Sequence, residues 1–124
     1  MKLYHFTSRR NALKIRKEGL IKGVTLLKSG LMANTQWLTS NPSVEQEGIK
    51  GVLKIVDRTE ARITVNIPAH LLCNILTFDQ FCDLHRNDLM DYFDTEPEIT
   101  KDWYVYMGVL RPLWLKVRVY NHSL

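Results

Sequence analysis

Apolar and polar residues alternate most cleanly over positions 61–67. Ile63, Val65 and Ile67 fall on one side, and Arg62, Thr64 and Asn66 on the other. A period of two predicts a half-buried strand, and Pro68 ends it. Short runs rich in apolar and aromatic residues read as strands over 2–6, 35–40, 52–56 and 102–107. A last strand covers 113–120, with Leu113, Leu115, Val117 and Val119 alternating. Two stretches carry helical spacing instead. Thr7-Ser8 offers an N-cap for a helix over 9–18, and Gly19 supplies its stop. Residues 69–89 form the longest helical pattern, with Leu71, Leu72, Ile75, Leu76, Phe78, Phe81, Cys82 and Leu89 on one face and a break near Thr77. Residues 21–34, 43–51 and 91–101 read as loops. The order lacks regular βαβ alternation, which predicts an α+β fold with antiparallel pairing.

Size changes the picture little. The 124 residues, 45% of them hydrophobic, predict one domain over 1–124 with a single core. The longest apolar run falls well short of the roughly 20 residues that span a bilayer. The opening Met1-Lys2-Leu3-Tyr4-His5 is unlike a signal peptide, so a cytoplasmic protein is the expectation. Cys73 and Cys82 lie nine positions apart, about 13 Å on an ideal helix, too far for a disulfide. They are expected to be two buried, reduced thiols, with no metal-ligand spacing around them.

Charge matters more. The net charge is +4, but it is unevenly spread. From Asp79 to Asp102 there are eight acids and two bases, so the other segments carry 15 of the 17 bases. A basic body with one acidic segment suggests an anionic partner, nucleic acid included. An ordinary solvated surface has the same composition.

Three short segments can carry chemistry. His5 and Thr7 lie two positions apart on the first strand and share a face, where both can hydrogen-bond a ligand. Their structural reading is a satisfied strand histidine and a helix cap. Trp37, Thr39 and Ser40 combine a flat ring with two hydroxyls ahead of the turn Asn41-Pro42. Their structural reading is a core tryptophan beside a turn. Glu98 and Asp102 lead into the aromatic strand Trp103-Tyr104-Val105-Tyr106, where a carboxylate can stabilise developing positive charge. A solvated acidic loop is the alternative. Arg62, on the polar side of its strand, suits a pyrophosphate or an ion pair. No P-loop, GxGxxG, HExxH or GxSxG occurs.

In order and spacing these segments resemble the ADP-ribosyltransferase superfamily, above all small bacterial and phage members, RNA 2′-phosphotransferases and DNA-modifying toxins. The resemblance rests on Tyr4-His5-Phe6-Thr7, the helix leading to Gly19-Leu20, Trp37-Leu38-Thr39-Ser40-Asn41-Pro42, the acid ahead of Trp103-Tyr104-Val105, and the turn Gly108-Val109-Leu110-Arg111-Pro112. It implies two small antiparallel sheets around a cleft that binds NAD, with flanking helices. It implies that His5 bonds a ribose hydroxyl and Thr7 supports it. Trp37 or Tyr104 would flank the nicotinamide, and Thr39 and Ser40 would line the cleft. Glu98 or Asp102 would stabilise the oxocarbenium-like transition state. The chain departs from the family in lacking a clean Glu-x-Glu or Gln-x-Glu.

Three functions compete. The first is NAD-dependent transfer of ADP-ribose to a macromolecule, protein or nucleic acid. The second is a binding module in which the basic helix from Arg9 to Lys17 contacts nucleic acid. The third is an interaction protein or inhibitor of mobile-element origin, docking on a host protein through the acidic segment from Asp79 to Asp102.

Overall fold

The computed structural model describes residues 1–43 and 60–120. Six strands form one antiparallel sheet. They are β1 (Lys2–Thr7), β4 (Thr35–Thr39), β5 (Ala61–Asn66), β6 (Ile75–Thr77), β7 (Trp103–Met107) and β8 (Leu115–Val119), in the order β6-β7-β4-β1-β5-β8. A separate hairpin pairs β2 (Val24–Leu27) with β3 (Gly30–Ala33). The helices are α1 (Arg9–Glu18), α2 (Phe78–Leu84) and α3 (Pro97–Thr100), with 3₁₀ turns at Ala69–Asn74, Asp91–Phe93 and Pro112–Trp114.

The α+β class stands, but the sheet arrangement differs from two small sheets around a cleft. The halves β6-β7-β4 and β1-β5-β8 are joined at β1 and β4 into one sheet. The seam is narrow: Tyr4↔Thr39 is the one β1–β4 pair among the described residues, whereas β1 and β5 pair along six positions.

Register divides the sheet into two faces, because successive side chains point oppositely and directly paired residues share a face. One face carries Leu3, Leu38, Ile63, Val65 and Tyr106, which pack with Ala12 and Ile15 of α1. Ser8 starts that helix by accepting from Asn11 N at 3.1 Å, and Gly19 ends it at φ +91°. A side chain at Gly19 would collide with the Leu110 carbonyl. Leu20 and Leu110 exchange two backbone bonds of 2.9 Å there, tying the helix end to the loop after β7. The opposite face carries Trp37, Trp103, Val105 and Met107. Phe78, Phe81 and Phe93 cover them.

Four sequence expectations change. Residues 69–89 do not form a long helix. Ile75-Leu76-Thr77 pairs with β7, sending Ile75 to one core and Leu76 to the other. Thr77 and Gln80 then form a capping box that starts α2. Residues 91–101 are not a plain exposed loop, since Phe93 and Thr100 are buried and 97–100 is helical. Residues 21–34 contain the β2–β3 hairpin. Cys73 is exposed rather than buried, and Cys82 is half-buried. Burial, followed by the nearby Asp79 carboxylate, raises the Cys82 thiol above its ordinary pKa. The strand expected over 52–56 lies outside the described residues.

Candidate functional site

The three segments singled out in the sequence lie on adjacent strands β1, β4 and β7. Across the seam, His5 reaches from β1 to β4, and its Nδ1 lies 3.1 Å from the Trp37 carbonyl oxygen. A carbonyl oxygen only accepts, so Nδ1 carries the proton in this bond. The histidine thus completes a join where backbone pairing is sparse.

Beside this join, on the α1 face, a cleft of about 300 Å³ is lined by His5, Thr7, Asn11, Lys14, Glu18 and Gln36, among others. Gln36 braces its wall. The side chain accepts from Gly23 N at 3.0 Å and donates to the Gly108 carbonyl at 3.0 Å. Gly23 must be glycine here, because a Cβ would run into the Thr35 carbonyl and the Gln36 amide. The volume is at the small end for ligand sites. Lys14 and Lys22 give the rim two cations, and Glu18 gives it a carboxylate.

The other candidates are distributed. Tyr104 pairs with Leu38 and packs, half-buried, on the α1-side core. Trp37, Thr39 and Arg62 belong to the opposite face. The Trp37 ring meets Phe81 edge-on, with centroids 5.1 Å apart, and its Nε1 donates to Thr25 Oγ1 at 2.8 Å. Thr25 and Thr35 hydroxyls lie 2.7 Å apart, extending this buried network. Thr39 is buried, and its Oγ1 accepts from Asn41 N at 3.1 Å. Ser40 is exposed and donates its N–H to the Asp102 carbonyl at 2.9 Å. Arg62 sits over the Tyr4 ring, 5.2 Å from its centroid, and donates from Nη1 to the Pro42 carbonyl at 3.2 Å.

The two acids chosen from the sequence lie away from the cleft. Glu98 is in α3, with its side chain 85% exposed and 3.8 Å from Lys101 Nζ. Asp102 precedes β7. Gln36, at the cleft, pairs with Tyr106, four residues further along. Four residues of strand span about 13 Å. The carboxylate that does line the cleft is Glu18, which sequence reading passed over. Its available signal was position: it closes the basic helix directly before the Gly19-Leu20 segment of the resemblance.

Among the described residues, no group of three or more His, Cys, Asp or Glu side chains is arranged to hold a metal ion. No helix among them is long and apolar enough to cross a membrane. Comparison with family models, curated proteins and solved structures finds no match to this chain.

Proposed function

We propose that this chain is an NAD-dependent mono-ADP-ribosyltransferase-like domain that modifies a macromolecule, protein or nucleic acid. One observation carries the reading: the His5 ring bridges β1 to β4 at the Trp37 carbonyl and borders a cleft beside that join. The strands bearing the three resembling segments are neighbours, in the order β7-β4-β1. NAD supplies an ADP-ribosyl group whose bond to nicotinamide breaks with the electron pair leaving on nicotinamide.

The chain's own groups have defined tasks in this reading. His5 hydrogen-bonds a ribose hydroxyl, and Thr7 lines the same cleft. Lys14 and Lys22 draw the phosphates. Glu18 faces developing positive charge on the ribose, an electrostatic role that is worth about 3–4 kcal/mol where it is well aligned. Glu18 takes this role over Glu98 and Asp102 because it alone of the three lines the cleft.

The position of Glu98 and Asp102 favours a second reading, a binding domain of the same form that does not transfer the group. One experiment separates the two. NAD is expected to raise the melting temperature, since a ligand that binds only the folded state stabilises it. His5→Ala is expected to abolish that rise. Nicotinamide release that falls in Glu18→Gln supports transfer. A rise in melting temperature without nicotinamide release supports the binding domain. No rise at millimolar NAD overturns both.

A further inference from the structure

We infer that the sheet face turned away from α1, over β1, β5 and β8, binds single-stranded nucleic acid. This surface lies on the opposite side of the sheet from the cleft and does not rest on the NAD reading.

The inference starts from register. Arg62 pairs with Phe6 on one side and Arg118 on the other. Thr64 pairs with Tyr4 and Lys116, and Asn66 pairs with Lys2. Directly paired residues share a face, so Lys2, Tyr4, Arg62, Lys116 and Arg118 lie on one surface, together with Phe6, which is buried beside Arg62. Lys2, Lys116 and Arg118 are exposed, and Tyr4 and Arg62 are half-buried. None of these paired positions holds an acid. The nearest acid among the described residues of β5 is Glu60, just ahead of it, whose Oε1 accepts from the Arg9 backbone N–H at 3.2 Å.

The two arginines are also held in place. Arg62 is over Tyr4, and Arg118 is over Tyr120 at 5.5 Å. Arg62 Nε is shielded from solvent and has no hydrogen-bond partner among the described residues. Arg62 spends Nη1 on the Pro42 carbonyl and holds the Tyr4 ring, whereas the exposed Arg118 keeps its charge beside the Tyr120 ring, which suits phosphate recognition. Four cations call for an extended anion. Two arginine–tyrosine stacks and the polar Thr64 and Asn66 call for flat, hydrogen-bonding groups along it. A single strand supplies both, and protein sheets that read such strands stack two or three bases on one face. A duplex hides its base faces and would meet only the cations.

The test is fluorescence anisotropy of a labelled, mixed-sequence 20-nucleotide DNA strand on the full chain, without NAD, across a salt series. Lys116→Ala/Arg118→Ala is expected to weaken binding at least 10-fold. It should also flatten the log–log salt slope by roughly 0.7 for each phosphate that is no longer neutralised. Tyr4→Leu is expected to weaken binding about 5-fold or more while leaving the charge unchanged. The comparison variant, Arg10→Ala/Lys17→Ala on exposed positions of α1, should bind like the unsubstituted chain. Circular dichroism checks that each variant is folded. The inference is overturned if the α1 variant alone loses binding, or if Tyr4→Leu binds unchanged. It is equally overturned if duplex DNA or anionic vesicles bind as tightly as the strand, or if no strand binds at about 0.1 M salt.

Discussion

One face of the sheet is built from opposite chemistry in its two halves. Over β4, β6 and β7 it carries Trp37, Trp103, Val105, Met107 and Leu76, covered by Phe78, Phe81 and Phe93. Over β1, β5 and β8 the same face carries Lys2, Tyr4, Arg62, Thr64, Lys116 and Arg118 around one buried aromatic, Phe6. The border is the row Tyr4–Thr39–Trp103, which crosses the narrow seam. The aromatic half spends its side chains on stability. The basic half buries Phe6 on this face, while β1, β5 and β8 bury Leu3, Ile63 and Val65 on the other. Stability and recognition are thus separated along one surface.

The strongest test of this division is Phe81→Ala. Phe81 is fully buried and packs against Trp37, Phe93 and the His85 ring. Truncating a buried phenylalanine removes its apolar transfer energy and leaves a cavity, together costing about 3–5 kcal/mol. Urea unfolding should show a lower midpoint with little change in slope. A cost under about 1 kcal/mol would mean that the aromatic half is not the anchor of the fold.

Thr25→Val should come next. The substitution keeps the shape but removes the hydroxyl that accepts from Trp37 Nε1 and bonds the Thr35 hydroxyl. Leaving a buried donor unsatisfied costs about 1–3 kcal/mol. The same unfolding measurement reads it, and Thr25→Ser should recover most of the loss. If valine is neutral, the indole N–H is not dependent on the hairpin.

How much of this was legible depends on whether a residue's role is local. Strand β5 and helix α1 were readable because their periodicity, Pro68, Ser8 and Gly19 act within a few residues. The hairpin was not readable, because its polarity is inverted. Thr25 is buried by Trp37 and Thr35, while Val24, Leu26 and Leu31 are 53%, 44% and 71% exposed. Residues 75–77 carried helical spacing, and pairing with β7 overrode it. The site was legible in the same uneven way. His5 was found from its strand, and its position beside Gln36 and Gly23 depends on chain pairing that no local pattern encodes. Glu18 stayed hidden because a charged residue at a helix end has an ordinary explanation. Arg62 and Tyr4 meet only through register between β1 and β5.

The smallest expected effect makes the comparison sharpest. Lys116→Ala/Arg118→Ala removes two exposed side chains from an edge strand whose inward residues Leu115, Val117 and Val119 stay in the core. Exposed substitutions away from caps, cores and buried pairs usually change stability by less than about 0.5 kcal/mol. The unfolding midpoint should therefore barely move, even as strand binding falls. A second consequence follows from position. Charged side chains on an edge strand discourage pairing with other chains, so the variant should associate more readily with rising concentration, as light scattering would detect. A stability loss above about 1 kcal/mol would make the basic half structural after all. The division between a stabilising half and a recognising half would then fail at the strand where it is easiest to measure.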